Sequence, residues 1–275
     1  LLTFDEFTTF LHEFGHALHG MLAKGEYESL NGTSVYRDFV ELPSQIMENW
    51  AFSKEMLQQY AIHYQSGEVM PEEMIEKIHK CSTFNEGFNT TELLAAALSD
   101  FDIHAVQSAD EVNVAEFERQ SLTEKRGLIS QIEPRYHYTY FSHIFDGGYS
   151  AGYYFYIWAE VLDKDAYQAF VESGDLFDRA TADRLRGEIL SRGGSRDGMD
   201  MYRAFRGADP DKTAMLVARG LVKAEDIAQS EPERVREIAK VDTREQARQR
   251  AERSRQEREA ARQQAEAEAQ EQTAE

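Results

Sequence analysis

Apolar residues recur with a period near 3.6 from the first turn of the chain. Phe7, Leu11, Phe14, Leu18, Met21 and Leu22 form a stripe that predicts one amphipathic helix over 3–24. Thr3 and Glu6 stand at capping-box spacing, Asp5 adds acid to the first turn, and Gly25 offers a stop. After the turn signal Asn31-Gly32, a second helix is expected to begin between Asp38 and Pro43 and to run to about Tyr64. Pro43 is tolerated only in its first turn. The pattern predicts further helices over 71–80, opened by Pro71-Glu72-Glu73, over 91–108 and over 113–125. In the second of these, Leu93, Leu94, Ala97, Leu98 and Phe101 form the apolar set. Residues 134–150 read as an aromatic, glycine-rich loop. Helical character resumes at 151–163, 165–172 and 178–190, and again from Met199 after the loop marked by Gly193-Gly194 and Gly198. No run alternates with period two, so the expected fold class is mainly α.

The pattern stops near the end. From Thr243 to Glu275 there is no Leu, Ile, Val, Met or aromatic residue, and such a segment cannot bury a core. We read 1–222 as the folded portion, 223–242 as a linker or short helix, and 243–275 as a low-complexity charged tail, helical or disordered. Residues 231–275 carry 10 basic and 12 acidic side chains, so nearly all of the formal charge of -20 rests on the first 230. That balance argues against nucleic acid as a partner, since nothing in the sequence suggests the basic stripe that phosphate binding requires. No run approaches the 18 or so apolar residues of a membrane span. The single cysteine, Cys81, excludes an intrachain disulfide and a cysteine-rich metal site. Leu1-Leu2-Thr3-Phe4 is neither a Met start nor a signal peptide, so sequence upstream is expected to be missing.

His12-Glu13-Phe14-Gly15-His16 is an HExxH pattern. One helical turn separates the imidazoles, so both face one side, and by wheel angle they fall roughly opposite the Phe7/Phe14/Leu18 stripe. Two imidazoles suit Zn²⁺, and a catalytic site needs a third protein ligand plus an open position. Glu13 is placed to take a proton from the attacking water. For the third ligand Glu41, Glu48, Glu26 and Glu28 all compete on spacing. His19 competes too, though at i+3 from His16 it reads better as a neighbouring polar group or substrate contact. Glu48, seven residues beyond Glu41, could instead orient a ligand imidazole.

The stretches FLHEFGHALHGMLA (10–23), FVELPSQIMENW (39–50), FNEGFNTTELLAAALSDFDIH (84–104), FSHIFDGGYSAGYYFYIWAEVLDKD (141–165) and YRAFRGADP (202–210) resemble the thimet oligopeptidase-like zinc peptidases, peptidase family M3. The resemblance covers roughly 1–222. It implies the C-terminal part of a two-lobed, mostly helical zincin-like peptidase. It also implies one Zn²⁺ per chain on His12, His16 and Glu41, with Glu13 as general base. Tyr156 is expected to donate to the oxyanion, His143 and Tyr149 to assist, and Tyr153 to face substrate. Asn89, Asp100 and His104 are candidates for supporting networks. Arg203 and Arg206 are candidates for holding a substrate's C-terminal carboxylate, with a structural ion pair at least as good a reading.

The implied activity is hydrolysis of short peptides, with release of C-terminal dipeptides favoured by the opening helix and the HIFDGGYSAGYY segment. An oligopeptidase A-like endopeptidase is the alternative. A third reading is an inactive fragment or binding module, because the N-terminal half that forms the other wall of the family's channel is absent. The expected partners are short peptides, and neither nucleic acid nor membrane. The expected compartment is the cytoplasm, with the periplasm as alternative.

Overall fold

In a computed structural model, residues 1–108 and 112–223 are described. They are almost wholly helical, with one isolated antiparallel bridge, Ile62 to Val69. The expected linker and tail beyond 223 lie outside the described residues. No helix among the described residues is long and apolar enough to cross a membrane.

Helix α1, Phe4–Met21, starts where the capping box predicts: Thr3 Oγ1 accepts from Glu6 N, and Glu6 Oε2 accepts from Thr3 N at 2.7 Å. It ends before Gly25 because the next residues are drawn off by tertiary contact, Lys24 N donating to Ser191 O at 3.0 Å. The single helix expected to end near Tyr64 is instead three: α2 Arg37–Val40, α3 Leu42–Ala51 and α4 Lys54–Tyr60. Pro43 opens α3, and Ser53 caps α4 by accepting from Met56 N at 3.2 Å. Ser53-Lys54-Glu55 is an N-cap signal in the sequence that the longer apolar period conceals.

Next come α5 Glu72–Ser82, α6 Glu86–His104 and α7 Val114–Arg119, the last running into a π-helical turn, Gln120–Lys125. Helix α6 turns Leu93 and Ala95–Ala97 inward, whereas Leu94 and Phe101 are exposed. The 134–150 loop contains one short helix, α8 Ser142–Phe145. The expected helices at 151–163 and 165–172 are one, α9 Phe155–Ser173, because residues 151–154 form a turn first and nothing interrupts the helix at Lys164. Then follow α10 Arg179–Leu185, with a π-helical extension Arg186–Leu190, α11 Gly198–Arg206, and α12 Thr213–Ala218, which was not anticipated.

Two apolar clusters hold these elements. Leu42, Ile46 and Trp50 of α3 pack with Leu162, Ala166 and Phe170 of α9 and with Met201, Tyr202 and Phe205 of α11. Leu93, Ala96 and Ala97 of α6 pack with Tyr138, Phe141, Ile144 and Tyr153. Helix α3 therefore stands between α1 and α9. It is the element on which the site is built.

Candidate metal centre

The buried edge of α1 is Leu11, Gly15 and His19, not the Phe7/Phe14/Leu18 stripe. Phe10 and Phe14 are 54% and 41% exposed, with rings 6.1 Å apart, and Met21 is exposed too. The reason is Gly15. A Cβ at that position would stand 2.3 Å from Pro43 O and 2.6 Å from Ser44 Cα, so its absence lets the backbone of α3 approach α1 directly. The imidazoles of His12 and His16 thus flank the seam instead of lying opposite it. His19, read as a polar neighbour or substrate contact, is fully buried, and neither ring nitrogen has a hydrogen-bond partner. Burial, assisted by the nearby His16, pushes its pKa down to about 4.

The seam brings Glu41 to the histidines. Its Oε2 lies 3.4 Å from His12 Nε2 and 3.3 Å from His16 Nε2. His12, His16 and Glu41 each offer one ligand atom within 4.8 Å of the others. Among the described residues they are the one such group. Two imidazoles and one carboxylate are the donors that zinc takes, and three protein ligands leave a fourth position open. The set is positioned to coordinate one zinc ion. Glu26 and Glu28 are exposed and outside it, and Glu48 takes the orienting position. Glu48 Oε1 lies 2.6 Å from His12 Nδ1, which turns the other ring nitrogen toward the set.

The electrostatics of the cluster follow from these contacts. Burial alone would raise the Glu41 carboxyl, yet His12, His16 and Tyr149 together hold it well below the usual carboxylate range. Burial opposes charge on His12, but Glu41 and Glu48 outweigh it and lift the imidazole to about 10. Ser44 Oγ donates to Glu41 Oε2 at 3.0 Å, so the carboxylate is fixed from its own helix turn as well.

Opposite stands the aromatic segment. Tyr149 Oη donates to Glu41 Oε1 at 2.6 Å. Its ring stacks on Tyr156, with centroids 5.5 Å apart and planes 6° apart. Burial raises both phenols above their ordinary value, Tyr149 to about 12, with Glu41 adding to the effect. Gln45 Nε2 donates to Tyr156 O at 3.2 Å, tying α3 to the start of α9. His143 lies 6.3 Å from the Tyr156 ring and 5.6 Å from Tyr153. Tyr153 itself is buried among Phe141 and Tyr136. Glu13 is exposed on α1 between the two histidines. A cleft of about 650 Å³ runs along this wall, lined by Gln45, Asn89, Arg135, His143, Tyr156 and Arg219 among others.

Arg203 and Arg206 are not on that cleft. Arg203 pairs with Asp200 and Asp209, and Arg206 grips Glu172 through two nitrogens while contacting Asp165. Both are engaged in ion pairs of the α9/α11 region and away from the cleft, so of the two readings the structural ion pair is the one the contacts match. Arg135, which spacing did not single out, does reach the cleft, with a 3.2 Å contact to Glu92. Only its place on the same cleft as His143 marks it. Arg37, on α2, lies 5.6 Å from the Tyr149 ring.

Comparison with known proteins agrees with this geometry. The profile of peptidase family M3 matches residues 1–221. A dipeptidyl carboxypeptidase of Salmonella typhimurium is 48% identical over 222 residues, 80% of this chain and 32% of that protein. A dipeptidyl carboxypeptidase of Escherichia coli is 46% identical with the same coverage. Oligopeptidase A of Escherichia coli is 40% identical over 227 residues, again 80% of this chain and 32% of the relative. The chain spans about a third of the length of the curated relatives it matches.

Proposed function

The chain belongs to peptidase family M3, and from that premise we propose that it is the metal-bearing part of a zinc peptidase that releases dipeptides from the C-termini of short peptides. The observation that carries the reading is the stacked Tyr149/Tyr156 pair set against the His12–His16–Glu41 group, with Tyr149 bonded to Glu41. A hydrolytic site needs a metal set on one side of the scissile carbonyl and neutral donors on the other.

When bound, zinc supplies Lewis acidity, polarising the scissile carbonyl and acidifying water. His12, His16 and Glu41 hold it, and Glu48 fixes the His12 ring. Glu13 takes the proton of the attacking water and passes it to the leaving amine. The Tyr156 phenol donates to the oxyanion, and its raised pKa keeps it protonated for that task. Tyr149 and His143 steady the same atoms. Tyr153 serves by backing His143 from within the core. A free substrate carboxylate meets Arg135 in the cleft.

Preference for dipeptide release rests on the higher identity to the two dipeptidyl carboxypeptidases than to oligopeptidase A. The second wall of the cleft, completing a two-lobed enzyme, comes from the part of such proteins that this chain does not cover. Exposed Phe10, Phe14 and Met21 on α1 fit a face that such a wall would cover. The experiment compares one peptide with free and with amidated C-terminus. Dipeptide release from the free form alone, abolished by Glu13→Gln with zinc still bound, is the expected result. Internal cleavage of both forms would favour the oligopeptidase reading, and zinc binding without turnover would favour an incomplete enzyme.

A further inference from the structure

Tyr149 and Tyr156 belong to separate elements, one in a loop and one in the first turn of α9, and a turn over 149–154 joins them. Within it Ala151 takes the left-handed conformation, φ +53°, which a residue with a Cβ adopts only when its surroundings impose it. Two side chains of α6 meet the turn, Asp100 closely and His104 Nδ1 at 3.4 Å from Ala151 N. Asp100 is fully buried. Its Oδ1 accepts from Ala151 N at 2.9 Å and its Oδ2 from Tyr153 N at 2.8 Å. The same Oδ1 lies 2.8 Å from His104 Nδ1, one helical turn on, so the imidazole closes the remaining side of the carboxylate. Tyr149 is pinned from before the turn as well, its N donating to His143 O at 3.0 Å and its O accepting from Gly152 N at 2.7 Å.

We propose that Asp100, backed by His104, is a positioning residue for catalysis: by clamping the amides of Ala151 and Tyr153 it sets the register at which Tyr149 and Tyr156 stack beside the metal group. Asp100 touches neither substrate nor metal. It acts through the turn, so its removal loosens the donors without touching the ligands. This inference rests on the peptidase reading above, which assigns the two phenols their task.

The test uses the full chain loaded with zinc, carrying Asp100→Asn, Ala151→Gly, or both. Asparagine keeps the size but offers one acceptor where two amides need one each. The expected result is that kcat falls by about 10- to 100-fold, the scale of a misplacement near 1 Å, with KM within about twofold and zinc stoichiometry unchanged. Amide exchange speeds up in 147–155 and stays as it was in α1 and α3. Ala151→Gly in the Asp100→Asn background recovers part of kcat, because glycine holds a positive φ without the clamp. Unchanged kcat despite faster exchange would overturn the positioning role, and so would a loss of kcat that tracks zinc loss. If Asp100→Asn loses protection throughout, His104→Gln carries the test: the same split at smaller size supports the proposal, and unaltered exchange in 147–155 overturns it. A wild-type chain that binds zinc but cleaves no peptide marks an incomplete enzyme, distinct from a failed clamp. Faster exchange confined to 147–155 in Asp100→Asn then supports the clamp, and unaltered exchange there overturns it.

Discussion

Glu41 is shared between two partners that do different work: Oε1 accepts from the Tyr149 phenol at 2.6 Å, while Oε2 faces the Nε2 atoms of His12 and His16 at 3.4 and 3.3 Å. The carboxylate therefore couples the metal group to the aromatic wall. Tyr149→Phe should weaken zinc affinity by about 10-fold, the scale for losing a partner of a ligand, and should lower kcat as well. Tyr156→Phe should lower kcat by about 10²- to 10³-fold, the scale for one oxyanion donor, and leave zinc affinity alone. Chelator competition and single-turnover hydrolysis separate the two. Equal effects on zinc from both variants would contradict the division of labour.

Glu48 tests the same logic from behind the metal. Its contact to His12 Nδ1 is 2.6 Å and half-buried. Glu48→Ala is expected to cost about 10- to 100-fold in zinc affinity while thermal unfolding of the metal-free chain changes little. Zinc titration by calorimetry measures the first and a melting curve the second.

Gly15→Ala is predicted to be far worse than its size suggests. The added methyl meets backbone, Pro43 O and Ser44 Cα, which cannot rotate away. Overpacking of this kind costs about 1–3 kcal/mol. The added displacement falls on the histidines to either side, so zinc should be lost together with stability. A variant that keeps full zinc content would show that α1 and α3 can part without disturbing the ligands.

A pH effect comes from the α3/α9 interface. Burial pushes the Asp163 carboxyl up to about 6 from its ordinary 3.8, against the opposing pull of Lys164 and Asn49. Asn49 Nδ2 donates to Asp163 Oδ1 at 2.8 Å, but Oδ2 is buried without a partner. A carboxyl with a raised folded-state pKa binds its proton more tightly in the fold than in the unfolded chain. Its contribution to stability therefore falls as pH rises from about 4 to about 6. Asp163→Asn should flatten that part of the profile in urea melts, and an unaltered slope would remove Asp163 as its source.

Arg135→Ala should raise KM for peptides with a free C-terminus and leave amidated peptides unaffected, with kcat nearly constant in both. Loss of a charge-assisted contact removes binding common to ground and transition states. A parallel rise for both substrates would place the carboxylate elsewhere.

The metal ligands and their helix were legible because HExxH and its cap are local: spacing of four residues and a Thr3–Glu6 box carry them without tertiary help. The choice of Glu41 over Glu48, Glu26 and Glu28 was not local. It depends on the approach that Gly15 permits, and the resemblance supplied it where spacing could not. The wheel misplaced the buried face for the same reason, since hydrophobicity gives no weight to a glycine that lets another backbone in. The break at Ser53 and the fusion of 151–172 into α9 are boundary errors of the ordinary kind, where a cap or a turn overrides the apolar period. Arg203 and Arg206 stayed open between carboxylate holding and an ion pair because a free guanidinium and a paired one look alike in sequence. Asp100 was visible as a candidate, but its two amide partners lie some fifty positions away and no pattern announces them.

The close seam at Gly15 also bears on how the site is distributed along the chain. His12, His16, Glu41 and Glu48 all fall within the stretch that ends with α3 at Ala51. The two helices that form the seam are separated only by α2 and the turns around it. The phenols, the Asp100 clamp and Arg135 arrive only from later segments. The metal group is thus local to the first 51 residues, while Tyr149, which bonds to Glu41, stands 108 positions beyond it. Changes confined to the later segments would therefore leave the metal group's residues in place and alter only what stands opposite them.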